Sequence, residues 1–202
     1  MNEKTSRVAL ILGAFLAGLV LFFAAIMLVT GYAPSPVGQA VAAVGGPFQL
    51  EDQSGKAVTD ADMKGKPFLV FFGFTHCPDI CPTTLFDMSQ LMKELGPDAD
   101  RTGALFITVD PKRDTPAVVQ QYAAAFGPSI EGLTGTPEEI ATVAKEYRVY
   151  YAVHRTGPGA NDYSMDHSSV LYLMDPNGRF VAPVRADQSG DEIAANLKKL
   201  MG

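Results

Sequence analysis

Cys77 and Cys81 are the only cysteines among 202 residues, and three residues separate them. They lie in Phe71-Phe72-Gly73-Phe74-Thr75-His76-Cys77-Pro78-Asp79-Ile80-Cys81-Pro82-Thr83, directly after an apolar stretch that reads as a buried strand. Two thiols placed together beyond a core strand suit chemistry rather than stapling. A disulfide between them closes only a tiny loop, and stabilisation by a cross-link grows with loop length. Redox exchange, metal binding, or both remain open for the pair.

The elements that must position these thiols can be read in order. Residues 48–59 form a short hairpin around Ser54-Gly55. Phe68 to Phe74 is a continuous apolar run, which suits a strand covered on both faces. Thr83 to Leu95 carries apolar residues at 85, 88, 91, 92 and 95, a helical stripe ended by Gly96-Pro97. Ala104 to Val109 is a second buried strand. Thr115-Pro116 opens a helix that stops before Gly127-Pro128. Thr136-Pro137-Glu138-Glu139 opens another with a capping-box pattern, running to about Tyr147. Val149 to His154 is a strand. Ser169 to Met174 is another, turned by Pro176-Asn177-Gly178 into a hairpin with residues 179–184. Ser189 to Met201 is a closing amphipathic helix. This order predicts an α/β, thioredoxin-like domain with an added N-terminal β-hairpin.

In such sheets, sites gather at the carboxyl ends of the strands, where Cys77 and Cys81 fall. Pro78 and Pro82 each follow a cysteine, and a residue before proline disfavours helix. Both cysteines are therefore expected in an irregular loop, with Pro82 opening the helix. Cys81 then borders a helix N-terminus, whose partial positive charge is expected to lower its pKa. His167, in Tyr163-Ser164-Met165-Asp166-His167-Ser168-Ser169, immediately precedes the strand that begins the C-terminal hairpin. Thioredoxin-like folds place a proline there, packed against the cysteine loop. His167 should therefore approach both thiols although it lies ninety positions beyond Cys77. Two thiolates and an imidazole suit copper.

Three segments now resemble one family. Residues 72–83, Val109-Asp110-Pro111-Lys112-Arg113-Asp114-Thr115-Pro116 and Asp166-His167-Ser168-Ser169 are similar to the signatures of Sco/SenC proteins. These are membrane-anchored, thioredoxin-like copper proteins that help assemble the binuclear copper centre of cytochrome c oxidase. The resemblance covers about residues 45 to 202 and implies Cys77, Cys81 and His167 as copper ligands. The implied partners are cytochrome c oxidase subunit II and other periplasmic copper chaperones or thiol reductants.

The N-terminus agrees with an anchored protein. Val8 to Val29 is an uncharged run of 22 residues, roughly 33 Å as a helix at about 1.5 Å per residue. A bilayer core is about 30 Å thick. Lys4 and Arg7 precede the run, which favours a cytoplasmic N-terminus and a periplasmic C-terminal domain in a bacterial inner membrane. An Ala40-Val41-Ala42 cleavage pattern exists, but it lies beyond Pro34 and Pro36, too far from the apolar run. The organisation expected is an anchor over 1–30, a linker over 31–46 and the thioredoxin-like domain over 47–202. Without Glu3, Lys4 and Arg7, the 16 basic and 22 acidic side chains fall to 14 and 21, net −7. That balance argues against nucleic acid.

Other residues have plainer readings. His76 adjoins Cys77 but is expected to face solvent or support the site from outside. His154 reads as surface, and Met88, Met92 and Met174 as packing. Met165 lies near the site. Asp79 and Asp166 could supply an oxygen ligand, a hydrogen bond to His167, or nothing beyond loop solvation. An Arg113–Asp pair from Asp110 or Asp114 could brace the site loop. The functional alternative to copper delivery is a thiol–disulfide oxidoreductase, with redox-active Cys77 and Cys81, that keeps target cysteines reduced. A peroxiredoxin-like peroxidase is a third reading, from Cys81-Pro82-Thr83. Pro78 stands where that chemistry needs a hydroxyl.

Overall fold

The computed structural model describes residues 3–30, 44–184, 188 and 190–201. The chain divides into two units, one holding the first helix and the other everything from the first strand onward. The expected linker lies outside the described residues except for 44–46.

Helix α1 spans Glu3–Thr30. Its apolar stretch Leu10–Met27 is the one segment among the described residues long and apolar enough to cross a membrane.

In the second unit, β3 (Phe68–Gly73) is buried at every position. It lies at the centre of a five-stranded sheet ordered β5-β4-β3-β8-β9. Its parallel neighbours are β4 (Gly103–Thr108) and, beyond it, β5 (Glu131–Leu133). On its other side, β8 (Leu171–Met174) runs antiparallel and pairs with β9 (Phe180–Val184). Helices cover both faces, which is why β3 and β4 read as unbroken apolar runs rather than as alternation.

Helix α2 (Ile80–Leu95) buries Leu85, Met88, Leu91, Met92 and Leu95 and packs against α5 (Gly190–Leu200). It ends at Gly96, whose φ of 58° suits a residue without a side chain. Helix α3 (Pro116–Ala124) packs on β5. Helix α4 (Pro137–Glu146) carries the expected capping box: Thr136 Oγ1 accepts from Glu139 N, and Glu139 accepts from Thr136 N. The N-terminal hairpin is present as β1 (Gln49–Glu51) and β2 (Ala57–Thr59). The architecture is the thioredoxin-like α/β arrangement expected.

Two strands go beyond that expectation. β5 is three residues long, and a Cβ on its Gly132 would lie 2.7 Å from the Val119 carbonyl oxygen. α3 therefore sits against bare backbone there. β6 (Tyr151–Arg155) pairs antiparallel with β7 (Tyr163–His167), in a two-stranded sheet of their own. His167, expected just ahead of a strand, thus also ends one, and β8 starts four residues later.

Candidate metal centre

The carboxyl end of β3 delivers the chain into a tight turn. Phe74 stays buried, Cys77 N donates to the Phe74 carbonyl at 3.2 Å, and α2 follows. This corrects the loop expectation. Helix α2 begins at Ile80, two residues ahead of Pro82, so Cys81 is helical. Proline is tolerated there because first-turn N–H groups have no intrahelical partner.

Cys81 is fully buried and Cys77 is half-buried. The Cys81 N–H points at Cys77 Sγ across 3.4 Å. Burial, and then the bond to Cys77, push the Cys81 thiol well above the ordinary range. The expected lowering by the helix N-terminus is overturned, since desolvation of the charged form outweighs the terminal dipole.

The hairpin β6–β7 brings the third group. Its burial alternates, so Tyr163 and Met165 face the body, while Asp166 faces solvent and His167 is half-buried. His167 Nε2 lies 3.5 Å from Cys81 Sγ. The two sulfurs and one imidazole nitrogen all lie within 4.8 Å of one another. Metal bonds of about 2.3 Å to sulfur and about 2.0 Å to nitrogen place ligand atoms roughly 3.5–4 Å apart in a trigonal set. The donors therefore fit one shared ion with little movement.

The imidazole is oriented for this. Its Nδ1 lies 3.2 Å from the Ser168 carbonyl. A carbonyl only accepts, so Nδ1 carries the proton and Nε2 presents its lone pair. Phe71 and Phe74 meet the ring edge-on, with centroids at 6.1 and 5.8 Å. Burial pulls the His167 pKa below its ordinary value, against the Ser168 carbonyl and the Asp166 charge. The neutral, metal-binding form is the one favoured.

The remaining candidates separate. His76 is exposed, with Nδ1 on Thr75 Oγ1 at 3.1 Å. His154 is exposed on β6, 4.0 Å from Asp166. Asp166 turns toward that histidine, and His167 donates to the Ser168 carbonyl instead. Asp79 and Asp166 border the cleft of about 380 Å³ that also holds Cys77, Met165 and His167. Met88, Met92 and Met174 are core.

The loop after β4 supplies the bracing, divided between two carboxylates. Asp114 is fully buried and accepts from Thr75 N at 3.0 Å, Thr75 Oγ1 at 2.6 Å and Thr108 Oγ1 at 2.6 Å. It latches the turn that leads into Cys77. Asp110 pairs with Arg113, and this pair reaches the hairpin rather than the cysteine turn.

Gly73 is a site residue that strand patterning hides. A Cβ there would lie 2.8 Å from Cys81 Sγ and 2.9 Å from the Phe106 ring. Gly73→Ala is expected to cost about 1–3 kcal/mol through overpacking. At roughly 2–4 °C per kcal/mol in a chain of this size, the thermal midpoint should fall by several degrees. An unchanged midpoint would mean that the sulfur and ring yield freely.

Comparison with known proteins follows the same residues. The SCO1/SenC family model matches residues 37–202. The chain belongs to the SCO1/SenC family. Protein SCO2, mitochondrial, of Saccharomyces cerevisiae is 45% identical over 140 residues, 69% of this chain and 46% of the yeast protein. The chain thus spans about half the length of that relative. Bradyrhizobium japonicum ScoI, solved with copper bound, is 53% identical with a TM-score of 0.72, covering 78% of this chain and 99% of that one. BsSco, solved in work on a disulfide switch and described as a member of the Sco family of cytochrome c oxidase assembly proteins, is 26% identical. Its TM-score is 0.61, with 80% of this chain and 95% of that chain covered.

Proposed function

We propose that this SCO1/SenC protein holds one copper ion between Cys77, Cys81 and His167. It passes the ion on as an assembly factor for the binuclear copper centre of cytochrome c oxidase, with subunit II as recipient. The observation that carries the reading is the clustering of two sulfurs and one imidazole nitrogen within 4.8 Å. It occurs in a chain 53% identical to a Sco protein solved with copper. Thiolate selects Cu(I), and imidazole accepts either oxidation state. Copper is cargo here, and the site suits release. Cys77 sits on the β3–α2 turn, Cys81 in the first turn of α2 and His167 on a separate hairpin, at an open cleft. An incoming thiolate can reach the ion while the protein ligands let go one at a time.

Lys4 and Arg7, ahead of the apolar stretch of α1, support a bacterial inner-membrane anchor with the C-terminal domain in the periplasm. On this reading residues 1–30 anchor, 31–46 link, and 47–202 form the copper domain.

A second reading rests on the asymmetry of the thiols. Cys77 is the accessible one, and its sulfur accepts from the Cys81 N–H. As a thiolate it can attack a target disulfide to form a mixed disulfide, which Cys81 then resolves. The target gains two electrons as free thiols, and Cys77–Cys81 becomes the disulfide. The same chain can then reduce a recipient's copper-site cysteines. Pro78 offers no hydroxyl for peroxide chemistry.

The test is to titrate the reduced full-length protein with copper and then add a metal-free subunit II domain. One copper per chain should bind and then transfer. Retention of the ion by the loaded protein would sink delivery and leave binding intact. His167→Ala should weaken Cu(II) more than Cu(I), since two thiolates alone can hold Cu(I). Undiminished Cu(II) binding in that variant would remove His167 from the ligand set.

A further inference from the structure

The hairpin carrying His167 has a weakness. Among the described residues, β6 and β7 pair only with each other, outside the five-stranded sheet. A two-stranded ribbon is marginal on its own, and a slip of one residue turns every side chain to the opposite face. Such a slip would point Asp166 or Ser168 at the thiols in place of His167.

One residue of β7 is held from two directions. The Tyr163 hydroxyl donates to Asp110 Oδ1 at 2.9 Å. The Tyr163 carbonyl accepts from Arg113 Nη1 at 2.9 Å. The guanidinium lies over the Tyr163 ring, 3.7 Å from its centroid, and its Nε donates to Asp110 Oδ2. Tyr163 and Asp110 are buried, and the Arg113 side chain is 13% exposed. Tyr163 stands four positions before His167, on the same side of the strand by the period of two. The ring, the hydroxyl and the main chain of one residue are thus tied to one loop.

Stability alone explains this arrangement poorly. A buried ion pair is often no better than apolar packing of similar volume. Here Arg113 Nη2 is also buried with no hydrogen-bond partner among the described residues, a cost to the fold. What the arrangement does provide is a fixed phase for β7.

We propose that Asp110, Arg113 and Tyr163 form a register pin that holds β7 in the phase presenting His167 to Cys77 and Cys81. These are positioning residues, acting on the metal only through His167. The copper consequences rest on the copper-binding reading above; the phase of the strand does not. The loop that supplies the pin also supplies Asp114 to the cysteine turn. Both ligand-bearing elements therefore take their position from residues 110–114.

The test uses the full-length protein in detergent micelles, with Arg113→Met, Arg113→Lys and Tyr163→Phe. The first readout needs no metal. With only three histidines in the chain, ring-labelled NMR resolves His167 by the edge contacts of Phe71 and Phe74. Arg113→Met should move the His167 ring signals toward solvent values while those of His76 stay in place, and Arg113→Lys should restore them in part. Unchanged His167 signals in Arg113→Met would overturn the pin, whether or not the protein binds copper. The second readout is affinity. Arg113→Met and Tyr163→Phe should lose on the order of 10-fold or more for Cu(II), and much less for Cu(I). Combining either with His167→Ala should add no further Cu(II) loss, because both act through one ligand. Equal losses for both oxidation states, or full additivity with His167→Ala, would mean a general packing role and would also overturn the pin. Failure of the wild type to bind copper would instead sink the copper reading, and the NMR result would still decide the pin.

Discussion

Cys81→Ser should abolish tight copper binding while leaving the fold in place. Serine keeps the shape of cysteine at a slightly smaller volume, so it fits the position against Gly73 and Phe106 without a clash. What changes is the donor. A hydroxyl keeps its proton at any ordinary pH and is a hard oxygen, unsuited to Cu(I). Cys77 and His167 alone then face the ion. The expected loss is on the order of 1,000-fold or more in affinity, about 4 kcal/mol. Competition against a copper chelator of known strength measures it, with circular dichroism as the control for folding. Retained tight binding in a folded Cys81→Ser protein would place the ion elsewhere. The same thiol sets a pH dependence. Burial raises the Cys81 pKa, so the metal-free protein holds that proton at neutral pH and must release it on loading. Copper affinity should therefore rise with pH, about tenfold per unit from this proton alone, and fall on acidification. A flat profile between pH 6 and 8 would contradict a buried, protonated Cys81.

The chemistry of the site was more legible than its scaffold. Cys77 and Cys81 declare themselves by spacing and by following the apolar run 68–74. His167 could be placed only by knowing which strand it would meet. Its own strand was hidden, because Tyr163-Ser164-Met165-Asp166-His167 is short and polar by composition. The alternation of Tyr163, Met165 and His167 against Ser164 and Asp166 was the available signal, a period of two over five residues. β5 offered less, since Glu131-Gly132-Leu133 has no pattern and owes its place to the close approach of α3. The Cys81 pKa was misjudged for a different reason. A helix N-terminus is visible in a sequence, whereas the depth at which a side chain is buried is a property of the packed core. The helix starts ahead of Pro82, although proline is a common opening residue. The first turn already accommodates it two positions inside. Arg113 and Asp110 were legible as a pair, but their target, Tyr163, depends on where the hairpin lies.

Copper should stabilise the reduced protein strongly and the oxidised protein hardly at all. Metal ligation needs two deprotonated thiols, and a Cys77–Cys81 disulfide supplies neither. A ligand that binds only the folded state adds about 2.7 kcal/mol when its free concentration is 100 times its dissociation constant. At roughly 2–4 °C per kcal/mol, the reduced form should gain on the order of 5–10 °C in thermal midpoint. The gain has a local signature as well. In the apo site the first turn of α2 meets the β6–β7 hairpin through the contact of Cys81 Sγ with His167 Nε2 at 3.5 Å. An ion replaces that contact with three coordinate bonds spanning both elements. Hydrogen exchange in residues 151–167 should therefore slow on loading the reduced protein, while the core of β3 and β4, already buried, changes little. Oxidation with no metal present should leave hairpin exchange at or above its apo rate, because Cys81 then has no proton to share with His167. Melting curves and exchange, with and without copper in both redox states, measure all of this together. Equal stabilisation of the two redox states would put the ion somewhere other than the cysteines. Stabilisation of the reduced state without slower exchange in the hairpin would leave the two thiols as ligands and exclude His167.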